Sequence, residues 1–126
     1  MRGNMKKGKT AIAEIIGLLF AARTYAHAAH LKTSSYSKHV ALDEFYTCIV
    51  DIADNIAETA QGKYGKLDIP MIAVKGDVDS PAAVLEDYLH QIKKLDKACD
   101  NRALNAIVDN VEIQFSTTIY KLKELS

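Results

Sequence analysis

A chain of 126 residues is long enough for one domain and short for two. With 48% hydrophobic and 25% charged residues it falls outside the disordered and fibrous classes. Lys+Arg and Asp+Glu both total 16, which excludes a uniformly basic nucleic-acid binder, although "MRGNMKKGK" carries Arg2, Lys6, Lys7 and Lys9 with no acid.

That opening predicts a flexible cationic tail over residues 1–8, able to touch phosphates, DNA included, without sequence preference. Residues 9–126 then form a single domain. Ile12, Ile15, Ile16, Leu19 and Phe20 recur at helical spacing and predict a first helix from about Lys9 to His30. Its core "AIAEIIGLLFAA" holds Glu14, is too short to cross a bilayer and lacks a convincing cleavage site, so a cytoplasmic chain with no membrane partner is expected. Ser34 or Ser35 offers an N-cap for a second helix over about 35–62, where Leu42, Phe45, Ile49, Ile52 and Ile56 step by three and four. "GKYGKLDIPMIAVKGDVD" is a long connection. Ser80 as N-cap and Pro81 at the first helical position start a third helix that ends near "DN". The last helix covers about 102–124 on Leu104, Val108, Val111, Phe115, Ile119 and Leu122. Cys48 and Cys99 lack metal-type spacing and read as reduced thiols. The fold expected is all-α: a ferritin-like four-helix bundle with one long crossover between helices 2 and 3.

On a helical wheel the second helix divides its chemistry. Leu42, Phe45, Ile49, Ile52 and Ile56 share one side; His39, Asp43, Asp54 and Glu58 lie roughly 150° away. Tyr46, Val50 and Ala57 sit among the ionisable groups, which suits an interface better than a plain solvated face. His39 and Asp43 are four apart, as are Asp54 and Glu58, so each pair can share an ion. The two pairs are separated by roughly 22 Å of helix, too far for one metal. Antiparallel pairing of two copies about a two-fold axis brings His39 and Asp43 of one opposite Asp54 and Glu58 of the other. If the turn centres on Thr33 or Ser34, His27 lies at about the height of His39 and His30 nearer the turn. Such nitrogen and oxygen donors without thiolate suit iron or manganese better than structural zinc.

"KHVALDEFYTCIVDIADNIAE" resembles the second-helix signature of the Dps-type mini-ferritins. His39, Asp43, Glu44, Tyr46, Asp54, Ala57 and Glu58 stand at matching positions, and His27 precedes His39 by the family's twelve residues. The resemblance implies a ferroxidase oxidising Fe²⁺ to Fe³⁺ between two-fold-related subunits, with manganese or zinc as substitute metals. His27, His39 and Asp43 of one chain and Asp54 and Glu58 of the other would be the ligands and catalytic residues, with His30 open as the alternative to His27. A dodecameric shell for iron storage or DNA protection is part of the same expectation. The chain has no Trp, whereas the family's first histidine is usually followed by one. "HLKTSSYSKHVALDEFY…QGKYG" with "YKLKEL" also resembles short uncharacterised proteins of tailed phages, which would place it in a host cytoplasm.

Two other function classes fit the residues. One is a non-catalytic helical assembly or interaction protein. The other is a helical RNase of the Arg-x(4–6)-His kind, with Arg23 and His30 of "RTYAHAAH". Glu86 with His90, and Asp109 with Glu112, read as solvated faces, and Tyr36 and Tyr46 as packing residues.

Overall fold

The computed structural model describes residues 2–125. It contains α1 (Arg2–Lys32), α2 (Tyr36–Tyr64), α3 (Pro81–Asp96) and α4 (Arg102–Glu124), and no strand among the described residues. No described helix is long and apolar enough to cross a membrane.

Residues 2–8, expected as a tail, are instead the first turns of α1; Met1 lies outside the described residues. Lysine is a good helix former, and extending a helix already anchored by packing avoids a new nucleation step. Gly8 is buried against α2: a Cβ there would stand 3.1 Å from the Tyr64 hydroxyl.

Helix starts are fixed by local chemistry. The Ser35 side chain accepts from the Lys38 N–H at 3.3 Å, and Asn101 accepts from the Leu104 N–H at 3.0 Å, each satisfying an orphan amide. Pro81 begins α3, but Ser80 does not cap it: its hydroxyl donates to Asp77 Oδ2 at 3.4 Å. At its other end α3 stops at Asp96, short of Asp100–Asn101. The Asn105 amide donates to Asp96 Oδ1 at 2.8 Å and to the Cys99 carbonyl at 3.0 Å, holding the turn closed.

Helix α1 packs on α2 and α3, and α4 packs on the same two, so α1 faces α4 across a four-helix arrangement. Ile12, Ile15, Ile16, Leu19, Leu42, Phe45, Ile49, Ile56, Leu104, Val111 and Phe115 are buried, with Phe45 and Phe115 edge to face at 4.8 Å. Phe20, expected with the first helix's apolar set, stays 38% exposed. From Ala11 to Ala22 only Glu14 and Phe20 reach solvent.

The α2–α3 connection explains why α1 is so deeply buried. It runs along the outside of α1 from Gly17, where a Cβ would stand 2.7 Å from the Pro70 carbonyl, to Tyr25, whose hydroxyl donates to the Asp77 carbonyl. The Tyr88 hydroxyl of α3 accepts from the Lys75 N–H and donates to its carbonyl, both at 3.3 Å. Two buried tyrosines thus satisfy backbone groups of a segment that has no secondary structure of its own.

Candidate functional site

The three-residue turn between α1 and α2 sets the phase that brings imidazoles together. His30 of α1 lies directly across from His39 of α2, their rings stacked with centroids 3.7 Å apart and 19° between planes. His30 Nδ1 donates to the His39 carbonyl at 2.7 Å, and His39 Nδ1 donates to the His30 carbonyl at 2.9 Å. A carbonyl only accepts, so both rings carry a proton on Nδ1, leaving each Nε2 lone pair free in the neutral form. This reciprocal pair fastens the hairpin at its turn. His30 is 8% exposed; His39 is half-buried.

His27, one turn earlier, is exposed and stacks on Tyr46 of α2, with centroids 4.3 Å apart. The His39 counterpart across the hairpin is therefore His30, and His27 lies opposite Tyr46, one turn lower than the sequence spacing suggested. The turn, residues 33–35, is centred on Ser34 as expected, and a turn placed there matches His39 with the nearer His30. Tyr46 has its hydroxyl pKa raised, first by hydrogen bonding to Asp43, then by burial and the Asp43 charge, with Arg23 opposing. Arg23, His27, Tyr46 and Asp43 thus lie together on one outer face of the hairpin.

Asp43, Asp54 and Glu58 are exposed on α2 and take part in none of the ion pairs among the described residues. Asp43, Tyr46, Val50, Asp54 and Ala57 form one strip of that helix at steps of three and four. Within the chain, no three His, Cys, Asp or Glu side chains among the described residues converge to hold a metal ion. The expected set of His27 or His30 with His39 and Asp43 is therefore not preassembled: His27 is taken up by Tyr46 and His30 by the stack on His39.

The lesser candidates are placed as well. Glu86 pairs with Lys123 and Glu112 with Lys93, both at the surface. Arg23 is exposed whereas His30 is buried in the histidine pair, a poor arrangement for shared acid–base work on RNA. Sequence reasoning missed Tyr46 as the seat of His27; its position seven residues after His39, on the same helix face, was the available signal.

The profile of a family of unknown function, DUF5856, matches residues 30–122, which include His30, His39, Asp43, Asp54 and Glu58. This chain belongs to the DUF5856 family. A relative, the uncharacterized 14.6 kDa protein in the mobD-ri intergenic region of Enterobacteria phage T4, is 31% identical over 111 residues, covering 86% of this chain and 85% of the phage protein. No solved structure matches the chain. The family match leaves His27 and Arg23 outside its bounds, so the α2 side of this face is the part this DUF5856 chain has in common with the profile.

Proposed function

We propose that this protein is a non-catalytic helical assembly module that pairs with a second copy through the outer face of its α1–α2 hairpin. The observation that carries this reading is the split charge of that face. Exposed Arg23 and His27 line its α1 edge, and Asp43 and Asp54, in none of the ion pairs among the described residues, line its α2 edge, with Tyr46 and Val50 between. A two-fold axis parallel to the helices sets the α1 edge of each copy over the partner's α2 edge, cation against carboxylate, around an apolar centre. The histidine pair supports the same reading, because a face fixed before association loses little freedom on binding.

Sedimentation velocity of the full chain in chelator tests it. A dimer is expected, and Arg23→Glu shifts it to monomer by placing like charges across the axis. A wild-type monomer at micromolar concentration contradicts the assembly reading.

One observation favours a metal-bridged form of the pairing. His39 gives its Nδ1 proton to a backbone carbonyl, the outer contact that metal-ligating histidines commonly make. With the axis turned perpendicular to α2, carboxylates of the two copies face each other and need a cation between them. His39 and Asp43 with the partner's Asp54 and Glu58 would then hold iron, manganese or zinc, as the mini-ferritin resemblance implies for a ferritin-like bundle and its twelve-subunit shell. This form dimerises only with added Fe²⁺ or Mn²⁺, loses that response in His39→Ala, and oxidises Fe²⁺ in air. A dimer indifferent to chelator rejects it.

A further inference from the structure

The lysines of "MRGNMKKGK" are placed on a helix, and that changes what surrounds them. Gly8 of α1 lies against Tyr64 at the end of α2 and near the Ala98 carbonyl beyond α3. Tyr64 in turn lies beside Cys99, just before α4 begins. All four helices therefore have an end here, opposite the histidine turn.

This end gathers Lys6, Lys7 and Lys9 of α1, Lys63 and Lys66 at the close of α2, and Lys97 after α3. None of the six is in an ion pair found among the described residues. Those found among the described residues engage Lys93, Lys121 and Lys123 instead, with Lys121 and Lys123 held by Glu44 and Glu86 towards the other end. The nearby acids Glu14, Asp68, Asp96 and Asp100 pair with none of the six among the described residues. In a molecule of zero formal net charge, these six lysines outnumber the four nearby carboxylates and leave a positive excess at one pole.

The surface there is grooved as well as charged. A cleft of about 440 Å³ between α1 and α3 is lined by Lys6, Lys7 and Glu14 with Leu95 and Ala98. Another of about 460 Å³ between α1 and the connection is lined by Lys6 and Lys9 with Glu14, Asp68 and Pro70. They flank α1 on either side; Glu14 lines both, so it is the exposed lysines and not the clefts that can hold an anionic chain.

We infer that this pole binds the phosphate backbone of duplex nucleic acid without reading its sequence, through lysines supplied by three parts of the fold rather than by the N-terminal segment alone. Of the large apolar side chains exposed among the described residues, Met5 lies at this pole and Met71 follows Pro70 of the second cleft; two separate methionines leave a membrane surface little to bury. Exposed Phe20, Tyr36 and Tyr120 lie elsewhere, and Tyr64 is partly buried beside Cys99, so no aromatic platform stacks single-strand bases. Backbone neutralisation is the mode that remains. It is independent of the dimer reading, since it uses none of Arg23, His27, Asp43 or Asp54.

Fluorescence anisotropy with a labelled random-sequence DNA duplex tests it, using the full chain between about 50 and 200 mM salt. Wild-type affinity should fall with salt, at a slope of about −0.9 per phosphate contacted. A Lys63→Glu/Lys66→Glu/Lys97→Glu variant should bind about tenfold or more weakly and lose about three units of that slope. Lys32→Glu/Lys38→Glu at the opposite pole should leave both unchanged. Circular dichroism establishes that each variant keeps its helix content; a neutral Lys→Gln set replaces any that does not. Binding insensitive to salt, a loss confined to Lys6, Lys7 and Lys9 variants, or equal binding to poly-glutamate would overturn the inference. So would tighter binding to phosphatidylserine vesicles than to the duplex.

Discussion

Gly17 and Gly62 are both interior helix glycines, yet they sit under opposite constraints. At Gly17 an added Cβ meets the Pro70 carbonyl at 2.7 Å and Ile72 Cδ1 at 3.0 Å, and a backbone carbonyl cannot swing away. Gly17→Ala gains about 1 kcal/mol of helix propensity but must displace the connection. A net loss of about 1–2 kcal/mol in urea unfolding is expected. Gly62 has nothing within 4 Å, so Gly62→Ala should stabilise by about 0.5–1 kcal/mol. Tyr25 makes the second residue-scale prediction. Burial chiefly, with Asp77, Tyr88 and Asp79 adding, pushes its hydroxyl from the ordinary 10.0 up to about 12. The folded state then holds a proton the unfolded chain has released. Its contribution is intact below pH 10.0, declines as pH rises, and is gone above about 12. Tyr25→Phe should flatten stability over that window while costing about 1 kcal/mol below it, from the lost bond to the Asp77 carbonyl. Urea midpoints measured across the window decide the point.

The α1–α2 hairpin shows how much of an element is set by a pair of residues. His30 and His39 each spend a donor on the other's backbone and share a stacked face, so their losses should not add. A double-mutant cycle with His30→Ala and His39→Ala is expected to give a coupling of about 0.5–3 kcal/mol. Additivity would mean the two rings stabilise the turn independently. The elements themselves were largely legible. Periodic apolar residues placed α2 and α4 within two residues of their ends, and Pro81 marked the start of α3. What stayed hidden depended on other elements. The extension of α1 to Arg2 rests on the ends of α2 and α3, and the stop of α3 at Asp96 rests on Asn105. The pairing of His30 rather than His27 with His39 depends on the exact length of a turn, where an error of one residue rotates a helix by about 100°. The candidate ligands were visible as types and spacings; that two of them are tied up holding the hairpin together was not.

For the molecule as a whole, a formal charge of zero conceals an uneven distribution. Carboxylates and the histidine turn mark one region, an excess of lysines the opposite pole, and the two proposed binding modes use separate surfaces. The element that joins them is α1, and its burial has a consequence for how the protein is made. Its partners α2 and α3, and the connection pinned to it by Tyr25 and Tyr88, all follow it in the chain. At a synthesis rate of about 5–20 residues per second, several seconds separate the emergence of α1 from that of Tyr88. During that interval the run from Ala11 to Ala22 stands uncovered, a strongly apolar helix on a nascent chain. The burden of solubility in those seconds falls on Lys6, Lys7 and Lys9 just ahead of it.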